Sequence, residues 1–296
     1  MSEQVEQVRR FNRTVTRRVG ALDDEYLASG RPLGASRLLW EIGPDGAEVR
    51  GLRGRLGLDS GHLSRLLRRL EEDGLARVKP DGSDRRVRVA RLTAAGRREL
   101  ELLDRRSDDL VRSMLTPLRP RQRDELVSAM ATVERLLTAT MVELREIDPD
   151  HEDARACIRA YFAELSERSH GRFDPGTSIP ADRRELIAPH GAFLVAYLDG
   201  RPVGCGAVKH PPGPGASVAE IKRMWVASRA RGLGLGRRLL EELEGRAARA
   251  GASTARLETN DVLVEALGMY RSAGYEEVPA FNDEPFGDHW FEKGLG

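Results

Sequence analysis

The sequence predicts two domains: an all-α domain carrying a helix-turn-helix and a hairpin wing, then an α/β domain. Three observations point there. Apolar residues recur at helical spacing through the first half, whereas strand-like runs dominate from about residue 142. Charge divides the same way: residues up to Arg145 hold 29 Lys+Arg against 23 Asp+Glu, or +6, and the rest hold 19 against 24, or −5. Finally, RARGLGLGRRLLEELE (229–244) sets three glycines between arginines at the head of a leucine-rich helix. The chain of 296 residues is accordingly divided into 1–145 and 146–296.

Composition excludes several classes. No apolar run approaches the ~18 residues of a membrane span, and MSEQVEQVRRFNR at the start is too polar for a signal peptide. A cytoplasmic protein without a membrane partner is expected. Cys157 and Cys205 form no Cys-x-x-Cys pair, and His62, His151, His170, His190, His210 and His289 show no metal-ligand spacing, so no metal is expected.

In the first half, Val8, Phe11, Val15, Val19, Leu22 and Tyr26 predict one long helix, and Leu126, Met130, Val133 and Leu137 another. Between them, Val49, Leu52 and Leu56 mark a helix that GLDSG breaks. Leu63, Leu66, Leu67 and Leu70 then mark the buried face of a second helix, at i, i+3, i+4 and i+7. ARVKPDGSDRRVRVARL alternates apolar and charged residues around Pro-Asp-Gly, which predicts a two-stranded wing. In such a unit the second helix enters the DNA major groove and the wing touches the backbone. The exposed face of that helix carries Ser60, His62, Ser64, Arg65, Arg68 and Arg69. Arg85 and Arg86 lie at the wing tip, where Asp84 can hold a neighbouring guanidinium.

SGHLSRLLRRLEEDGL and the wing SDRRVRVARLT resemble the MarR family of winged-helix transcription regulators, over roughly 1–145. The resemblance implies a homodimer on double-stranded DNA, with Ser60, His62, Ser64, Arg65 and Arg68 facing the groove and Arg85 and Arg86 on the wing.

The second half reads as a short strand near MVELREIDPD, a helix to Arg168, and strands GAFLVAYL and RPVGCGAV joined at Asp199-Gly200. The loop HPPGPGAS, strand AEIKRMWVA, the glycine loop and a helix to about Ala250 follow. Strand ARLETN, helix VLVEALGMYRSAG, and strands YEEVPA and HWFEKGL complete it. The glycine loop has three readings. A dinucleotide fold needs G-x-G-x-x-G after its first strand, and a P-loop needs Gly-Lys-Ser/Thr. Here the spacing is G-x-G-x-G on a fourth strand, and no Gly-Lys-Ser/Thr occurs. The third reading, R-x-x-G-x-G between strand and helix, suits the pyrophosphate of coenzyme A, with Arg231, Gly234 and Gly236 filling it.

EIKRMWVASRARGLGLGRRLLEELE, followed by RLETN and ALGMYRSAGY, resembles the GNAT acetyltransferase superfamily over about 143–296. The resemblance implies a central mixed sheet and an N-acetyltransferase that uses acetyl-CoA on a small-molecule or protein amine. Met224, Trp225 and Val226 would hold the pantetheine arm, and the amides of Arg231, Gly232, Leu233, Gly234, Leu235, Gly236 and Arg237 the pyrophosphate. The thioester would lie between splayed fourth and fifth strands. Glu220 is the candidate base, a backbone amide near Trp225–Val226 the oxyanion donor, and Tyr270 the acid that protonates the leaving thiolate. Many relatives place an Asn seven residues before that tyrosine; this chain has Leu263. Candidate acceptor contacts are Phe173, Asp174, Phe281, Asn282, His289 and Trp290. The expectation is a bifunctional regulator and N-acetyltransferase. The alternative is a regulator whose second domain binds acyl-CoA or a metabolite as effector without catalysis.

Overall fold

The computed structural model describes residues 2–82, 84–179, 181–210 and 217–296. The chain divides into two compact units, Met1–Met130 and Ala131–Gly296. The division falls inside a helix, α6 (Pro120–Thr140), rather than at residue 145.

The first unit begins with α1 (Ser2–Arg18). This helix is shorter than the periodicity suggests, because Gly20 takes φ +66° and turns the chain before Leu22 and Tyr26. Then come α2 (Leu33–Ile42), β1 (Ala47–Glu48), α3 (Val49–Leu56) and α4 (Ser60–Glu72). The Asp59 carboxylate accepts from the His62 amide at 2.9 Å, capping the start of α4. Leu63, Leu67 and Leu70 of α4 are buried with Leu38, Leu39 and Ile42 of α2, Leu52 of α3 and Leu103 of α5 (Ala94–Leu115). Each fully buried leucine stabilises the unit by about 1.5–3 kcal/mol relative to exposure.

The wing is β2 (Ala76–Pro80) paired antiparallel with β3 (Arg88–Leu92), and β1 adds a third strand on the far side of β3. The expected Pro-Asp-Gly turn is instead a longer loop. The ladder ends at Pro80–Arg88, the Asp81 amide donates to the Val87 carbonyl at 2.7 Å, and the chain reverses beyond them. Asp84 accepts the Arg86 backbone amide at 2.9 Å, and among the described residues it forms no ion pair with a guanidinium. Ser83 of the expected wing motif lies outside the described residues.

The second unit is built on a seven-stranded mixed sheet. Its strands are β4 (Glu143–Glu146), β5 (Gly191–Leu198), β6 (Arg201–Lys209), β7 (Val218–Val226), β8 (Thr254–Thr259), β9 (Glu276–Val278) and β10 (His289–Gly294). Their order is β4-β5-β6-β7-β8-β10-β9, and β7–β8 is the parallel pair. Period-two alternation on β5 feeds two cores. Ala192, Leu194 and Ala196 pack with Leu239, Leu240, Leu243 and Ala247 of α8 (Leu235–Arg249). Phe193, Val195 and Tyr197 pack with Ala154 and Cys157 of α7 (Glu152–Arg168). Helix α9 (Val264–Ser272) follows β8. Of the loop expected at 210–217, residues 211–216 lie outside the described residues.

One feature of the sheet positions the site. Strands β7 and β8 pair only from Val218–Thr254 to Glu220–Arg256. Beyond that, β7 stays with β6 up to Val226–Gly204, and β8 stays with β10 up to Thr259–His289. The two strands part and leave a cleft.

Candidate active site

The glycine loop leaves β7 through a single turn at Ser228–Ala230 and enters α8. Gly232 and Gly234 take φ +76° and +73°, conformations that side chains other than glycine rarely adopt. The Arg238 amide bonds back to the Gly234 carbonyl at 3.1 Å. Among the described residues, the backbone amides of Gly232 through Arg237 donate to no protein acceptor. The result is a row of free N–H groups at the positive end of a helix, the chemistry of an anion cradle. A Cβ at position 232 or 234 would meet nothing within 4 Å, so the loop opens onto space.

That space is a cavity of about 500 Å³. Met224, Trp225, Val226, Arg231, Gly232, Gly234, Leu235, Gly236 and Arg237 line one side. Leu233 is the exception: it packs against the hydrophobic core beneath α8. Tyr161, Glu164, Leu165 and Arg168 of α7 form another wall, and Leu263, Ala266, Met269 and Tyr270 close it. Leu263 offers this cavity an apolar surface.

The α7 wall was missed by motif reading, although residues 161, 164, 165 and 168 share one helical face. Glu164 is its hub. It accepts from Trp225 Nε1 at 2.9 Å, lies 2.9 Å from Arg168 Nε in an ion pair, and also pairs with Arg231. Burial raises its pKa, but the hydrogen bonds from Arg231 and Trp225 outweigh burial and hold it below the usual glutamate range. Arg231 Nε also donates to the Val226 carbonyl at 3.1 Å, and Arg168 reaches Glu265 at 2.8 Å. Arg237 donates to Ser272 Oγ at 2.5 Å.

A smaller cavity of about 80 Å³ adjoins the first and shares Tyr161, Leu165, Met224, Leu263, Ala266 and Tyr270 with it. Phe173, Lys222, Arg223, Glu258, Asn260, Glu284 and Phe286 also line it. Both cavities meet where β7 bulges. Cys205 pairs with Trp225 and Ala207 with Lys222, so Arg223 and Met224 together oppose Gly206. A Cβ on Gly206 would approach Met224 Sδ to 2.6 Å, which is why the facing strand carries glycine there.

Tyr270 is 4% exposed and faces both cavities. Burial raises its pKa well above the ordinary tyrosine value, so its hydroxyl holds its proton at neutral pH. Burial likewise pushes Tyr161 up to about 12.

Glu220 is placed differently from its expected role as base. It accepts from Arg256 Nη2 at 2.6 Å, lies 3.4 Å from Lys222 Nζ, and lines neither cavity. Burial raises its pKa, but the Arg256 hydrogen bond and the Lys222 charge overcome this and lower it, which makes it a weaker base. Glu258, two residues further along β8 than Arg256, lines the smaller cavity and pairs with Lys222.

Of the acceptor candidates, Phe173 lines the smaller cavity. Asp174 caps the Gly176 amide at 2.8 Å, and Phe281 lies under the Arg256 guanidinium at 4.2 Å. Asn282 accepts from Trp290 Nε1 at 2.8 Å, and His289 Nδ1 bonds Glu277 at 2.7 Å. These five residues line neither cavity, although Asn282 Nδ2 donates to Glu258 Oε2 at 3.5 Å, at the edge of the smaller one. The segment 281–293 still contributes a wall, through Glu284 and Phe286.

In the first unit, Ser60, His62, Ser64, Arg65 and Arg68 are exposed along α4, and Arg85 and Arg86 are exposed on the wing loop. No group of three or more His, Cys, Asp or Glu able to hold a metal occurs among the described residues.

Comparison with known proteins agrees with both halves. The acetyltransferase (GNAT) family model matches residues 146–275, and the MarR family model matches 37–87. An IAA acetyltransferase of Azospirillum brasilense is 40% identical over 106 residues, covering 36% of this chain and 67% of that protein. An uncharacterized N-acetyltransferase of Schizosaccharomyces pombe is 31% identical over 142 residues, covering 47% and 85%. A MarR family transcriptional regulator from Streptomyces coelicolor, solved in complex with DNA, matches at 24% identity and TM-score 0.38, covering 46% of this chain and 88% of that one. The chain belongs to the GNAT acetyltransferase family, as an N-acetyltransferase that carries a MarR family domain ahead of the transferase fold.

Proposed function

We propose that this protein is a bifunctional transcription regulator and acetyl-CoA-dependent N-acetyltransferase, acting on an amine in the cytoplasm. The observation that carries the reading is the junction of the two cavities at Met224 and Tyr270, on the cleft between β7 and β8. The larger cavity fits the donor: free amides at Gly232–Arg237 suit a pyrophosphate, and the walls at Leu165, Val226, Leu263 and Met269 suit an apolar arm. Acetyl-CoA, when bound, supplies the activated acetyl group. Glu258 accepts the proton of the acceptor amine, directly or through water, and Tyr270 donates its hydroxyl proton to the leaving thiolate.

For the first unit, the reading is a homodimer on double-stranded DNA. Val5, Val8, Phe11 and Val15 are all exposed on α1, and Val127 and Met130 on α6. Large apolar side chains left exposed along a helix call for a covering partner, and a second copy supplies one. Arg65 and Arg68 then reach base edges and phosphates.

The test is thiol release from acetyl-CoA across a panel of primary amines. The reading expects amine-dependent release. Acetyl-CoA binding with no release for any amine would favour an effector-binding domain instead.

A further inference from the structure

Lys222 and Arg223 both line the smaller cavity, but they are held differently. Lys222 is 8% exposed and neutralised by Glu258 and Glu220. Arg223 makes no ion pair among the described residues. Its guanidinium lies 4.8 Å from the centroid of the Phe162 ring. Its backbone sits at the bulge with φ +57°, a left-handed conformation that side chains other than glycine rarely adopt. The Cys205 thiol, which lies 3.3 Å from the Arg223 carbonyl, donates to it and helps fix that conformation.

The cavity's other carboxylate, Glu284, is already engaged. It accepts from Ser178 Oγ at 3.1 Å and the Ile179 amide at 2.8 Å, and it forms no ion pair with Arg223 among the described residues. A guanidinium stacked on a ring and lacking a carboxylate is shaped to bind one from outside, by two parallel N–H donors. Resting on the transferase reading above, we propose that the acceptor is an amine bearing a carboxylate, of the amino-acid class. Arg223 is then a specificity-determining residue that binds the carboxylate, while Glu258 serves the amine. Phe173 and Phe286, whose rings meet at 5.1 Å, bound the space left for the side chain.

The test compares matched acceptors: an α-amino acid, its carboxamide, and the amine that decarboxylation leaves. Thiol release is measured for each with the wild type, Arg223→Gln and Arg223→Lys, and acetyl-CoA affinity by calorimetry reports folding of the site. The wild type is expected to favour the acid in kcat/KM. Arg223→Gln should collapse that preference by about tenfold or more through KM, and Arg223→Lys should restore part of it. A wild type that uses the decarboxylated amine as well as the acid would overturn the proposal. So would an Arg223→Gln protein that binds acetyl-CoA yet keeps the wild-type preference. If no amine releases thiol, the transferase reading fails separately, and amino-acid binding by calorimetry decides this one. Binding lost in Arg223→Gln upholds it, and absence of binding in the wild type overturns it.

Discussion

Trp225 Nε1, at the next-to-last position of β7 before the glycine loop, donates to Glu164 Oε2 of α7 at 2.9 Å. Because Glu164 also holds Arg168 and Arg231, one carboxylate fixes three groups around the larger cavity. Glu164→Gln keeps the shape but removes the charge, and is expected to cost about 1–3 kcal/mol of stability. The pH dependence has a definite sign. Since Glu164 has a lowered pKa when folded, its contribution is complete above the ordinary glutamate range and fades as pH falls through the lowered value. Thermal melts of both proteins should therefore differ most near neutrality and converge in acid. A gap that widens on acidification would contradict the pairing.

Tyr270→Phe removes only a hydroxyl from a buried ring that packs 5.8 Å from Tyr275 and 6.2 Å from Phe291. Folding and acetyl-CoA affinity should survive. The catalytic rate should fall by roughly 10²-fold, the usual scale for a general acid. Thiol release at the wild-type rate would remove Tyr270 from the chemistry.

The two carboxylates of the β7–β8 pair should separate cleanly. Glu258→Gln keeps the shape of the smaller cavity's wall and is expected to lower kcat/KM by roughly 10²-fold, the usual scale for a general base. Glu220→Gln removes the charge that Arg256 and Lys222 meet and should lower the melting temperature while kcat/KM stays within a few-fold, on the order of 1 kcal/mol or less of transition-state stabilisation. If the large rate loss comes with Glu220→Gln instead, the proton leaves through a route that the cavity linings do not describe.

On DNA, Arg65→Ala should relax sequence preference, as expected for a side chain on the groove-facing helix. Arg86→Ala should weaken binding to every duplex and reduce the salt slope by about one unit. Mobility shifts at several salt concentrations check both. Equal loss on all sequences from Arg65→Ala would move α4 out of the groove.

Local patterns made much of this molecule legible. Leu63, Leu67 and Leu70 on one face, and the alternation along 191–198, gave helix and strand before any contact was known, because burial on one side imposes the period. The glycine loop was legible for the same reason: a left-handed backbone needs glycine at 232 and 234. What stayed hidden depends on partners far apart in sequence. Glu164 and Arg168 reach the cavity only because α7 covers one face of the sheet. Glu220 and Glu258 are both acids beside basic residues, and only the end of the β7–β8 ladder separates them. Phe281, Asn282 and Trp290 read as pocket walls, yet Arg256 and one another already engage them.

The central claim is that the loop at 232–237 binds acetyl-CoA, and titration calorimetry of wild type and Gly234→Val measures it directly. Valine at φ +73° is strained, and its side chain would stand in the cavity mouth where the loop is now open. The account predicts saturable binding by the wild type and none by the variant, while both shift DNA equally. Equal acetyl-CoA affinity in the two proteins, or none in the wild type, would contradict it.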